Sequence, residues 1–183
     1  MHTNENNSDI NATQPTYTYK VNDYEIAVIG AGGIGSHLVS ALVPALHRGD
    51  LLVSTERITI RMYDSDMVSE ENLAHQRFMP DDVGKHKVTA IAEIMAPFTS
   101  ERLRLVACPW DVREASDMKP ADLTVVAVDS AVARRVVHSS DTIFLDLRCL
   151  GDGYVALDSS VDPDFVIKMT PDQPARSCQH EDA

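Results

Sequence analysis

Apolar positions along the chain follow two rhythms. Short β-branched runs read as buried strands, and stretches with apolar residues every three or four positions read as helices. The first run, Tyr24-Glu25-Ile26-Ala27-Val28-Ile29, ends in glycine. Ser36 to His47 then carries Leu38, Leu42, Val43 and Leu46 at helical spacing, closed by Gly49-Asp50. Pro44 inside that pattern predicts a kinked or shortened helix. Gly49 to Glu56 reads as an extended connection. Arg57 to Tyr63 predicts a second strand, ending at Asp64. Ser65 to Pro80 has no clean period and reads as a functional loop with a helical turn. Asp81 or Asp82 can cap the next helix, whose stripe is Val88, Ile91, Ala92, Ile94 and Met95 and which Pro97 ends.

Arg102 to Ala107 alternates as a third strand. Asp122 to Val128 is almost continuously apolar, as a central parallel strand should be, and stops at Asp129. Ala131 to Val137 predicts a short helix, Thr142 to Leu145 a fifth strand ending at Asp146, and Tyr154 to Leu157 a sixth. Strands alternating with helices define an α/β fold, a Rossmann-like doubly wound and mostly parallel sheet. Residues 1–20 are polar and read as a disordered leader, 21–158 as the nucleotide-binding unit. In 159–183, Pro163, Pro171 and Pro174 break the pattern. That stretch reads as a proline-containing loop or an incomplete C-terminal part.

Composition narrows the partners. The 183 residues, 44% hydrophobic and 24% charged, suffice for one domain with a real core. Sixteen Lys and Arg against 28 Asp and Glu give a net charge of −12. That balance argues against nucleic acid and against anionic membrane, both of which call for a cationic footprint. No apolar run approaches the roughly 18 residues of a membrane span. Cys108, Cys149 and Cys178 include no C-x-x-C, so neither a disulfide framework nor a structural zinc site is expected. A reducing, cytoplasmic setting follows.

The first chemistry sits after the first strand. Gly30-Ala31-Gly32-Gly33-Ile34-Gly35 joins a strand to a helix start, which turns backbone N–H groups and a positive helix end toward a phosphate. Gly30 allows the tight turn, Gly32 and Gly33 allow close approach, and Gly35 allows helix–strand packing. Asp64, at the end of the second strand, can accept hydrogen bonds from ribose hydroxyls. These features suit an NAD enzyme as well as an ATP enzyme.

The next segments separate the two. Asp64-Ser65-Asp66 is followed by Asn72-Leu73-Ala74-His75-Gln76, then by Val83-Gly84-Lys85-His86-Lys87, and later by Asp129-Ser130-Ala131-Val132-Ala133-Arg134. Four motifs in this order resemble the ThiF/MoeB/HesA and ubiquitin-activating superfamily over about Ile26 to Arg134. The resemblance implies ATP-dependent adenylation of the C-terminal glycine carboxylate of a ubiquitin-like or sulfur-carrier protein, by a homodimer. It implies that Lys87 neutralises phosphate charge, that Asn72 donates to the phosphates or pocket, and that Asp129 holds Mg²⁺. Asp64 takes the ribose, Gln76 lines the pocket, and Arg134 orders the strand-end loop. Family members are longer, so the chain reads as a compact variant or a C-terminally truncated piece.

Departures matter as much. The family arginine before Gln76 is His75 here, a poorer phosphate partner, and Arg77, two positions on, is the candidate replacement. The pattern is closer to a looser bacterial and phage-associated branch. There an Asp-x-Arg-x-Gly element resembles Asp146-Leu147-Arg148 with Gly151, so Arg148 meets either a substrate carboxylate or a structural ion pair. Many members use a cysteine to take the activated carrier. Cys178, in the proline-rich tail, is the first candidate nucleophile; Cys149, beside Arg148, is the second; Cys108 reads as core. Two rivals stay open. An NAD(P)-dependent oxidoreductase explains the glycines and Asp64 but not Asn72, Gln76, Lys87 and Asp129. A non-catalytic nucleotide-binding homologue partnering an active subunit would account for His75.

Overall fold

A computed structural model describes residues 21–150 and 153–169. One six-stranded sheet runs through them. Its strands are β1 (Val21–Ile29), β2 (Thr55–Tyr63), β3 (Leu103–Cys108), β4 (Leu123–Val126), β5 (Phe144–Leu150) and β6 (Gly153–Asp158). Their spatial order is β3-β2-β1-β4-β5-β6, with β6 antiparallel to β5 and all other pairs parallel. Parallel strands need crossovers, and helices lie on three of them: α1 (Gly33–Arg48) and α2 (Leu51–Ser54) before β2, α3 (Lys87–Met95) before β3, and α4 (Ala131–His138) before β5; α5 (Pro163–Lys168) follows β6.

Both sheet faces are covered, as the near-continuous apolar strands demand. On one face Ile26, Val28 and Ile60 pack with Val39, Val43 and Leu46 of α1 and with Val88, Ile91 and Met95 of α3. On the other, Ala27, Ile29, Tyr63 and Val126 pack with Ala133 and Val137 of α4. The chain leaves β1 toward one edge and later returns to add β4 on β1's other side. The order in which strands are added therefore reverses between β1 and β4, and that reversal opens a crevice at their carboxyl ends.

The structure adds detail to several elements and corrects others. Helix α1 is not cut short by Pro44; it continues to Arg48, because Val39, Val43 and Leu46 bury one stripe across the proline. Pro44 cannot donate to the Ser40 carbonyl, and the packing of that stripe outweighs the lost bond. The connection before β2 is lengthened by the single turn α2. Strand β5 does not stop at Asp146. It runs to Leu150 because β6 pairs with it from Leu145↔Asp158 to Leu150↔Gly153, which places Asp146 inside the sheet. After residue 158 the chain forms α5, where Pro163 occupies the first helical position, the place in a helix that tolerates proline.

Candidate functional site

The carboxyl ends of β1, β2 and β4 meet beneath a cleft of about 1120 Å³. Backbone bonds tie these ends together: the Gly30 N–H donates to the Tyr63 carbonyl at 2.8 Å and the Ala127 N–H to the Ile29 carbonyl at 2.8 Å. Gly30 has φ +102°, and a Cβ there would sit 2.4 Å from the Ala127 oxygen. A glycine is thus required where β1 turns against β4. Gly35 lies behind the loop, where a Cβ would come 1.9 Å from the Gly30 oxygen. Gly32 has nothing within 4 Å of such a Cβ, and Gly33 only the His75 oxygen at 3.8 Å. Two glycines shape the loop, and the other two keep its outer side open. Gly35→Ala should lower stability by about 1–3 kcal/mol, whereas Gly32→Ala should stay within about 0.5 kcal/mol. Urea unfolding of the two variants checks the contrast.

The N-terminus of α1 points a positive end at this cleft. Gly32 is its N-cap and offers no side chain, and no acidic residue lies in its first turn. Its leading N–H groups are therefore available to an anion.

Asp64 holds the loop's shape. Its Oδ2 accepts the Ala31 N–H at 2.6 Å and its Oδ1 the Asp66 N–H at 2.8 Å. Burial raises the Asp64 carboxyl above its ordinary range, against the pull of those two bonds. Burial likewise raises Asp129, against the charges of Arg134 and Lys87. Lys87, the first residue of α3, is 6% exposed, and its Nζ bonds Asp66 Oδ2 at 2.8 Å. A buried ammonium needs such an anion.

Asn72 is buried in a 3-10 turn, where its Oδ1 accepts the Ser69 N–H at 3.0 Å. Only its amide nitrogen remains to donate. One turn on, Gln76 lines the cleft with a buried Oε1 that has no partner among the described residues. A buried acceptor of this kind costs free energy until a donor arrives.

Of the site residues expected from sequence, Gly30, Gly32, Gly33, Asp64, Asn72, Gln76, Lys87 and Asp129 all line this one cleft. Gly35 packs behind it. Arg77 is not brought in: it is exposed, and its backbone N–H donates to Ser36 Oγ at 3.3 Å. His75 lines the cleft instead, so the position that departs from the family pattern is the one at the site. Cys149 lines the cleft and is exposed, Cys108 is buried, and Cys178 lies outside the described residues.

Arg148 does not reach for a ligand. Its Nε and Nη2 bond Asp146 Oδ2 at 3.2 and 2.7 Å, and Nη1 bonds the Met169 carbonyl. Arg134 bonds Asp146 Oδ1 and the Val128 carbonyl, so it orders the end of β4. Sequence reasoning passed over Asp66 as a partner for Lys87. Its signal was the Asp-x-Asp spacing, which a backbone bridge between Met67 and His86 converts into proximity. It also passed over Asp111 and Arg113, which the loop after β3 contributes.

A metal can be accommodated in one way. Among the described residues no group of three His, Cys, Asp or Glu side chains converges. A magnesium ion carried by phosphates needs only one or two carboxylates, and Asp129 supplies one.

A switch-point cleft with a glycine loop defines a Rossmann-like nucleotide-binding fold. A sequence model of the ThiF family matches residues 5–179, and the chain belongs to that family. Solved structures share the fold. E. coli MccB with AMPCPP and MccA is 24% identical, with a TM-score of 0.58 over 73% of this chain and 39% of that one. E. coli MccB with ATP is 20% identical, with a TM-score of 0.57 over 84% and 49%. PaaA is 18% identical, with a TM-score of 0.53 over 70% and 38%. The chain thus spans 38% to 49% of the length of these structures. Among its described residues no helix is long and apolar enough to cross a membrane.

Proposed function

We propose that the chain binds ATP with Mg²⁺ in this cleft and adenylates the C-terminal carboxylate of a ubiquitin-like or sulfur-carrier protein. The observation that carries the reading is Lys87, a buried cation that lines the same cleft as the N-terminus of α1, with Asp64 and Asp129 within reach of its charge. Family membership and the MccB structures solved with ATP and AMPCPP support it. In the reaction, a carboxylate oxygen of the carrier bonds to the α-phosphorus. The bond to the bridging oxygen breaks, and pyrophosphate leaves with the electron pair. Lys87, Asn72 and the α1 N–H groups oppose the charge that gathers on the phosphates. Asp64 orients the ribose and Gln76 satisfies its buried oxygen on the ligand.

Four carboxylates line the cleft (Asp64, Asp66, Asp111 and Asp129) against two permanent cations, Lys87 and Arg113. A tetra-anionic nucleotide is repelled there unless a divalent ion accompanies it, held at Asp129. Chelation of Mg²⁺ by EDTA is therefore expected to weaken ATP binding at least tenfold in calorimetry. Equal affinity with and without the metal would contradict this. The protein is taken to act in the cytoplasm as a homodimer.

His75 at the site, with Arg77 turned away, favours a second reading in which the nucleotide binds without turnover. ATP–pyrophosphate exchange, measured with a ubiquitin-fold protein ending in glycine, decides between them. Exchange that depends on the added protein supports adenylation. ATP binding with no exchange across a panel of such proteins supports the second reading.

A further inference from the structure

We propose that Asp66 is the displaceable counter-anion of Lys87, competing with nucleotide phosphates for the ammonium and so setting how quickly nucleotide leaves. The inference rests on the nucleotide reading of the cleft. Three carboxylates surround Lys87, but they are not equivalent. Asp64 has both oxygens engaged by the Ala31 and Asp66 N–H groups and acts on Lys87 through space. Asp129 also acts through space. Among the described residues, the carboxylate that bonds Nζ directly is Asp66, at 2.8 Å.

The pair is lopsided. The Lys87 side chain is 8% exposed and that of Asp66 is 66% exposed. When a phosphate oxygen takes Nζ, the ammonium stays where it is and the Asp66 carboxylate turns into water, which solvates it cheaply. The reverse exchange, in which Lys87 moves and Asp66 stays, would draw a buried cation out of a site lined by two further carboxylates. The exchange therefore runs through Asp66.

The backbone of Asp66 is fixed independently of this bond. Its N–H donates to Asp64, its carbonyl accepts the Lys87 N–H at 2.9 Å, and Met67 bridges His86. Substitution of the side chain thus removes a charge without releasing the loop. Asp66 is a positioning residue: it holds the Lys87 ammonium aimed in the resting cleft, and each nucleotide must displace it. On dissociation the carboxylate re-forms the pair and helps expel the phosphate.

The test is ATP·Mg²⁺ binding, by calorimetry for Kd and stopped flow for koff, to the wild type, Asp66→Asn, Asp66→Ala, Lys87→Met and both double variants. Asp66→Asn and Asp66→Ala are expected to bind about tenfold more tightly, with most of the change in koff. The gain should vanish in the Lys87→Met background, which a merely structural role for Asp66 would not produce. Tightening that persists without Lys87 overturns the proposal, because it would reflect general charge removal. Unchanged or weaker binding by folded Asp66→Asn and Asp66→Ala also overturns it, and leaves the nucleotide reading intact if the wild type binds. A wild type that fails to bind ATP·Mg²⁺ overturns both.

Discussion

Asp146→Ala is expected to destabilise the protein by about 3–5 kcal/mol, the usual cost of leaving buried charges without their partner. Asp146 is fully buried in the middle of β5. Its carboxylate takes bonds from Arg134 and Arg148, and His138 Nε2 lies 2.9 Å away. Arg134 and Arg148 are themselves nine-tenths buried or more, and without Asp146 two like charges would face each other beside the emptied carboxylate position. The cluster joins β4, α4, β5 and the end of α5, so its loss should be felt as global unfolding. Urea denaturation of the variant checks the magnitude. A loss below about 1 kcal/mol would show that the arginines re-solvate freely.

The same residue fixes a pH dependence. Burial pushes the Asp146 carboxyl up, but His138, Arg148 and Arg134 together bring it down to about 2. A carboxylate whose folded value lies below its unfolded value of roughly 3.9 stabilises the fold fully above that unfolded value. The contribution, about 2–3 kcal/mol, is lost as pH falls from about 4 toward 2. Asp146→Asn should flatten the stability profile in that window.

The second large effect concerns binding. Lys87→Met is expected to weaken ATP·Mg²⁺ by roughly 10- to 100-fold, since a charged hydrogen bond contributes about 1.5–3 kcal/mol. Its cost to stability should be small, because the bonded anion, Asp66, is largely exposed and returns to water. Calorimetry for affinity and urea unfolding for stability separate the two. Loss of affinity in proportion to loss of stability would assign Lys87 a structural role instead.

Much of this was legible in the chain. Strands of almost continuously apolar character, such as Leu123–Val126, read as central, and their alternation with helices defines the sheet's general plan. The glycine loop, Asp64, Asn72, Gln76, Lys87 and Asp129 share one cleft because all follow strand ends or open helices at the same side of the sheet. What escaped the sequence involves contacts across elements. Asp146 reads as a strand terminus because an isolated carboxylate inside a strand is costly; nothing nearby in sequence reveals its neutralising partners. A signal was nonetheless present. Arg134 and His138 stand four apart on one face of α4, and Asp146 and Arg148 stand two apart on one face of β5. Arg77 and His75 show the opposite limit. Both follow the 3-10 turn Glu70–Ala74 in a stretch without a clean period, where a shift of two residues decides which side chain faces the cleft.

The most direct measurement is the melting temperature with ATP·Mg²⁺ and with NADH, for the wild type, Lys87→Met and Asp129→Ala. A ligand at 100 times its Kd adds about 2.7 kcal/mol, a shift of several degrees. ATP·Mg²⁺ is expected to raise the melting temperature of the wild type and to do so far less in either variant, with NADH inert. Stabilisation by NADH alone, or by ATP·Mg²⁺ equally in all three proteins, would contradict the assignment of the cleft.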